Sequence, residues 1–341
     1  MTQQIPLAWF GSRIATGLRD VTSDLTALDS RGWWAVLMTF EGDAVCARFG
    51  DVREGRPPAT SWRGPSRSSW ISSLDRIAYT AAVERVRELI AAGEVYQVNV
   101  CRIASAPMPD PGHVDVVGLA QALEGGNPAP HQGLIRLPAQ GVHVVTASPE
   151  LFVSRQANRL VSRPIKGTAA DGQGFLPKDR DENVMIVDLV RNDLGRVCRT
   201  GSVHVEELCA VEQHPGLSHL VSTVSGDLEA GTGWAQIMDA LFPPGSVTGA
   251  PKSTALRAIR ALETQPRGPY CGAVGWVDAD RGTAELAVGI RTFWLSGGRL
   301  HLGTGAGITW ASEPDAEWAE TELKAARLLA VASGSWNGST P

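Results

Sequence analysis

Two stretches of this 341-residue sequence place carboxylates one helical turn apart. In KDRDENVMIVDLVRNDLGR, Asp179 and Glu182 are three residues apart and share a helix face, with Met185, Ile186 and Leu189 forming an apolar stripe that would seat the helix. In SEPDAEWAETELKAARLL, Ser312 is placed to cap a helix with Pro314 in its first turn, and Glu317 and Glu320 share a face with Lys324 one turn on. Oxygen donors in this pattern suit a hard cation such as Mg²⁺, which keeps positions for water and an anionic substrate. The thiolate and histidine spacings that zinc requires are missing. Solvated helix faces carry the same i,i+3 acids, and spacing alone does not show that the two faces meet.

Other residues are placed to handle anions or protons. Arg291 lies in the apolar run LAVGIRTFWL, expected to be a strand, where a guanidinium is costly unless an acid or an anionic ligand answers it. Gly303, Gly305 and Gly307 follow in GTGAGI, read as a glycine-rich turn whose amides can approach an anion or as a tight β connection. FPPGSVTGAPKSTALRAIRAL brings a second glycine-rich segment to a helix N-terminus, which favours anions. Lys166, between an apolar strand and Gly167–Thr168, fits either a desolvated nucleophile or an exposed strand end. His219 fits either a satisfied core histidine or an acid–base group.

The elements that must position these groups are legible in outline. Tyr79, Val83, Val86 and Ile90 recur at helical spacing over 75–92, with Gly93 as the C-terminal cap. Further helices are expected at 178–194, 234–241, 252–263 and 314–333. VYQVNVCRIA is β-rich, and strands are expected at 133–137, 142–147, 150–155, 272–277, 285–295 and 299–303. Many strands without regular βαβ alternation predict an α+β fold. Residues 50–74 are rich in Gly, Pro, Ser and Arg and read as a connector between a short β-rich segment, 1–49, and a main domain, 75–333, with a flexible tail at 334–341.

A chain that is 43% hydrophobic and 20% charged can bury a core, and a net charge of −5 argues against nucleic acid. No GxGxxG or Walker pattern supports nucleotide binding. Five dispersed cysteines, the lack of a signal-peptide pattern and the lack of a membrane-length apolar run predict a cytoplasmic protein with reduced thiols. Tryptophan is abundant for so few aromatics, and the sequence suggests no function for it.

Ten segments, in order, resemble the chorismate-utilising enzymes: GEVYQVN (93–99), SPELFV (148–153), RPIKGT (163–168), ENVMIVDLVRNDLGRV (182–197), SHLVSTVSG (218–226), FPPGSVTGAPK (242–252), YCGAVGW (270–276), GIRTFW (289–294), GTGAGITW (303–310) and EWAETELKA (317–325). The resemblance covers roughly 75–333 and implies the family's catalytic domain, with antiparallel sheets forming a β-sandwich core surrounded by helices. It further implies Mg²⁺ between Glu182 and Glu320, with Asp179 and Glu317 as outer carboxylates. Substrate would be held by Arg291, Tyr270, Lys324 and the amides around Gly305, Ala306 and Gly307, with Gly167 and Thr168 lining the ring. His219 would sit near the departing C4 hydroxyl, and Glu150 would match the general acid/base. The chain departs from the family at Asn183, where histidine is usual.

Two positions choose the branch. Isochorismate and salicylate synthases resemble one another in a lysine where this chain has Gln97, and a neutral amide cannot deprotonate water. Anthranilate synthases usually have alanine where this chain has Lys166, so RPIKGT and FPPGSVTGAPK resemble the aminodeoxychorismate synthase branch. That branch implies amination of chorismate at C4 on the way to p-aminobenzoate and folate, with Lys166 as a nucleophile. No GxCxG nucleophile elbow occurs, so ammonia is expected from a separate glutamine amidotransferase subunit. Feedback by tryptophan is not expected, since no LLES-type segment is evident. The competing expectations are an anthranilate synthase and a catalytically silent chorismate-binding subunit.

Overall fold

A computed structural model describes residues 4–170, 174–175, 177–214 and 217–336. The described strands, eighteen in number, form one hydrogen-bonded network in which every pairing is antiparallel. Among the described residues, six α-helices accompany it: α1 (Arg76–Ala91), α2 (Val116–Gly126), α3 (Pro177–Gly195), α4 (Trp234–Leu241), α5 (Lys252–Leu262) and α6 (Pro314–Ala332). This is the α+β class, with a large antiparallel sheet.

The strand Trp33–Met38 is buried at every position because it is paired on both edges, with Ala44–Glu54 and with Ala273–Asp278. The N-terminal strands are thereby stitched into the same sheet as the C-terminal half. Much of the tryptophan serves this packing: Trp33 stacks on Trp276 and meets Phe49 edge-on, while Trp34 and Trp234 are fully buried.

The pair that matters most is Gln97–Pro107 with Arg299–Ile308, in register from Arg299 opposite Pro107 to Ile308 opposite Val98. Helix α1 covers this pair. The Asp75 side chain caps its N-terminus, accepting from the Ala78 amide at 2.8 Å, and Gly93 takes φ +75° just past its end. Its buried face, Tyr79, Ala82, Val83 and Val86, packs in one cluster with Val98, Val100, Ala306 and Ile308 and with Ala255 and Ile259 of α5. Helix α3 lies on the strands Ile165–Ala170, His204–His214 and Leu217–Asp227.

Three local expectations are corrected. The run 285–295 is not one strand: it breaks at 289–291 between Thr283–Val288, which pairs with 151–156 and 273–278, and Thr292–Ser296, which pairs with 142–148 and 299–308. The change of partners requires the break, which holds Arg291 at φ +50°. GTGAGI is not a turn but part of the strand 299–308. Ser312 does not cap α6: Glu313 occupies that position, and the Ser312 hydroxyl donates to Glu317 at 2.7 Å instead. Among the described residues, no helix is long and apolar enough to cross a membrane.

Candidate active site

The glycines of strand 299–308 are fixed by what presses on them. A Cβ on Gly303 would fall 2.0 Å from the Tyr270 ring, and one on Gly305 would fall 2.5 Å from the Val100 carbonyl oxygen. On Gly307 it would lie 2.1 Å from Gln97 Nε2 and 3.1 Å from Lys166 Nζ. Three distant segments, 97, 166 and 307, therefore converge where only glycine fits. The Gly305 carbonyl turns outward to Lys324 Nζ at 3.1 Å. In a pleated strand the N–H of a residue points the same way as its carbonyl, so Gly305 and Gly307 direct their amides away from strand 97–107, while the Ala306 side chain faces the apolar cluster.

Lys166 has one neighbour of special interest. Glu150, 4% exposed between the strands 142–148 and 151–156, senses the Lys166 charge, the Ile165 amide and the Ser246 hydroxyl, each of which favours its ionised form. Burial nevertheless dominates and pushes its carboxyl up to about 7. An acid poised there can give up or accept a proton at neutral pH. The Gln97 side chain is 1% exposed, and its Oε1 has no hydrogen-bond partner among the described residues, leaving a buried acceptor near the lysine amine.

Gly167, at φ +85°, carries the lysine strand onto the first acidic helix: a Cβ there would meet the Asp179 Cβ at 2.9 Å. Asn183, next to Glu182, donates to the Leu220 carbonyl at 3.1 Å and accepts from Ser222, which clamps α3 to strand 217–227. The buried His219 stands opposite Thr168 in that ladder; the Thr168 side chain lies outside the described residues.

On the second acidic helix, Glu317 is buried against Ser312, while the exposed Glu320 pairs with Lys324 at 2.6 Å. Lys324 also reaches Gly305, so α6 borders the strand whose Gly307 faces Lys166. Asp179 approaches the lysine strand at Gly167, and Glu182 lies one turn further along the same helix. Among the described residues, no three or more His, Cys, Asp or Glu side chains gather as a preformed metal cage.

Arg291 is partly buried, and no carboxylate pairs with its guanidinium among the described residues. Burial, and then the Arg327 charge, lower its proton affinity, the condition of a cation that gains from an anionic ligand. Tyr270, expected to hold substrate, is 4% exposed, with its ring on Gly303 and its hydroxyl beside the Cys101 sulfur; burial pushes that phenol well above its ordinary range.

Sequence reasoning missed the support beneath these groups. Arg267, 1% exposed, donates to Glu263, to the Asn99 carbonyl at 2.7 Å and to the Val247 carbonyl at 2.9 Å, and Glu263 accepts the Cys101 amide. This ion pair ties the strand of Gln97 to the loop of Ser246. FPPGSVTGAPK drew attention for its glycines, and nothing in its spacing pointed to Ser246 as the partner of Glu150.

Residues 30–330 match the family model described as chorismate binding enzyme. The chain is 38% identical to anthranilate synthase component 1 of Streptomyces coelicolor over 81% of its own length and 55% of that protein. It is 40% identical to an aminodeoxychorismate synthase of Streptomyces pristinaespiralis over 77% of its length and 37% of the relative. With aminodeoxychorismate synthase component 1 of Salmonella typhimurium it shares 36% identity over 87% of its length and 68% of that protein. The chain thus spans about half the length of several of the curated relatives it matches. The fold is that of MenF, the menaquinone-specific isochorismate synthase of Escherichia coli, with a TM-score of 0.83 at 18% identity over 97% of this chain and 90% of that one. A putative isochorismate synthase from Bacillus anthracis gives a TM-score of 0.79 at 23% identity over 96% of both chains. By the match over 30–330 and these identities, the chain belongs to the family of chorismate-binding enzymes.

Proposed function

We propose that the protein aminates chorismate at C4 to give 4-amino-4-deoxychorismate, as the synthase subunit of a p-aminobenzoate and folate pathway. The observation that carries this reading is the lysine amine of Lys166 beside Gln97 at Gly307, with Glu150 as its buried acidic neighbour. Gln97 offers an acceptor for an N–H nucleophile and no base for water. Lys166 Nζ adds at C2 of the ring while the C4 hydroxyl departs with a proton from Glu150. Ammonia then attacks C4, the double bonds shift back and the lysine amine leaves. Arg291 and the amides of Gly305 and Gly307 hold the carboxylates of the substrate. Ammonia comes from a glutamine amidotransferase partner.

The donor set fits a magnesium ion, since it consists of carboxylate oxygens on two helices, one lying on strand 165–170 and the other on strand 299–308, without thiolate or imidazole. Two such oxygens without a full cage match the habit of Mg²⁺, which completes its shell with water and substrate oxygens. Glu182 and Glu320 would hold it, with Asp179 and Glu317 behind them. The ion would neutralise the carboxylate of the ring.

Anthranilate synthase is the second reading, because relatives of both names match at similar identity. Incubation with chorismate, Mg²⁺ and an ammonium salt, followed by product mass, separates them. A product that retains the enolpyruvyl group is expected; loss of pyruvate with formation of an aromatic amine would overturn the proposal in favour of the second reading.

A further inference from the structure

The proposed amination has a proton balance that the buried acid cannot meet alone. Ammonia enters as a neutral base, and the amine of the product carries a proton at neutral pH. Each turnover therefore takes up one proton, and the hydroxyl leaves as water. Glu150 supplies that proton yet is only 4% exposed, so it needs a route to solvent before the next turnover.

A pocket of about 20 Å³ adjoins Glu150, with Ser162, Asp193 and Ser246 as its other polar lining residues. One water needs roughly 10–15 Å³ and two to four polar partners, and this pocket meets both conditions. Asp193, on α3, turns its carboxylate to Lys252 Nζ at 2.7 Å; their side chains are 11% and 22% exposed, so the pair bridges interior and surface.

We propose that one water in this pocket links the Glu150 and Asp193 carboxyl groups, and that Asp193, reached from solvent beside Lys252, reloads Glu150 with the proton each amination consumes. This rests on Glu150 being the acid of the proposed reaction. In the step, the Asp193 carboxyl gives a proton to the water, the water gives one to the Glu150 carboxylate, and Asp193 takes its replacement from the medium. The groups that face Glu150 are the Ser246 hydroxyl, Lys166, the Ile165 amide and His131. Those that face Asp193 are Lys252 and Arg196. Burial raises both carboxyls above their ordinary values, so each holds its proton more readily than an exposed acid of its kind.

The test compares Asp193→Asn with the double variant Asp193→Asn/Lys252→Met, which leaves no unpaired cation behind. Chorismate consumption with ammonium is followed on either side of the Glu150 midpoint. Both variants are expected to lose about tenfold or more about one pH unit above that midpoint and far less about one unit below it, where Glu150 holds its proton without help. The KM for chorismate should stay put. No loss, an equal loss on both sides, or a loss that the double variant restores would overturn the relay. A high-resolution crystal structure gives a second reading that needs no turnover: a water within hydrogen-bond distance of both carboxyls is expected, and a dry pocket would overturn it. If the wild-type chain aminates nothing, the proposed function falls and the relay with it, whereas an active wild type with unaffected variants overturns the relay alone.

Discussion

Replacing Glu150 with Gln should remove a loss of stability that accompanies rising pH up to the neutral range. An unfolded chain titrates this carboxyl near its ordinary 4.5, whereas burial pushes it up to about 7 in the folded protein. Between those values the folded state binds more protons than the unfolded one, so stability falls as pH rises. The contribution is fully present below the unfolded value and is lost as pH passes through the folded one. The interval corresponds to roughly 3 kcal/mol, a large part of a marginal stability. Glutamine has the same shape, still faces the Ser246 hydroxyl and the Ile165 amide with its oxygen, and has no charge to desolvate at any pH.

Urea denaturation of both proteins at a series of pH values measures the effect as the difference between their stabilities. That difference should move in favour of Glu150→Gln as pH rises through the interval, while amination falls by about two to four orders of magnitude. A protein stabilised and silenced by one isosteric change would show a strained ionisable group kept for its chemistry. Parallel stability curves would refute the reasoning. So would a difference of opposite sign, because it would mean that Lys166 and Glu150 form an ordinary ion pair that holds the carboxyl down.

Two further outcomes follow from the convergence at Gly307. Lys166→Ala should cut amination by at least about two orders of magnitude while chorismate with Mg²⁺ still raises the melting temperature; unchanged turnover would remove the lysine from the mechanism. Gly307→Ala places a methyl 2.1 Å from Gln97 Nε2 and should cost about 1–3 kcal/mol, most of it recovered in Gly307→Ala/Gln97→Ala; additive losses in the double variant would show that the two residues do not share that space.

What could be read from the sequence was what local pattern determines. The helix expected over 75–92 is α1, 76–91, because its apolar spacing, its Asp75 cap and its Gly93 end all agree. Helix α4 occupies 234–241 as expected, because Trp234, Ile237, Met238 and Leu241 recur at helical spacing and are buried together. Failures arose where a distant partner overrides the pattern. Residues 285–295 look like one strand, yet the two halves pair with different neighbours, and nothing within the run marks the change except Gly289. Ser312 has the chemistry of a helix cap, but buried Glu317 claims its hydroxyl.

The site repeats this lesson at closer range. Gly303, Gly305 and Gly307 look like a flexible turn because three alternating glycines contain no packing information of their own. Their meaning lies in the atoms opposite: the Tyr270 ring, the Val100 carbonyl, and the Gln97 and Lys166 side chains. Those groups come from three separate stretches of chain, and Arg267 ties the one that carries Gln97 and Val100 to the loop of Ser246 by binding the carbonyls of Asn99 and Val247. A buried guanidinium fully matched by Glu263 and two carbonyls is rigid, because moving any partner would strand a charge in the interior. That rigidity reaches Ser246, one residue from Val247, and so fixes the hydroxyl that faces Glu150. The acid of the site is thus tuned through a support whose parts, spread from Asn99 to Arg267, share no sequence pattern that spacing could reveal.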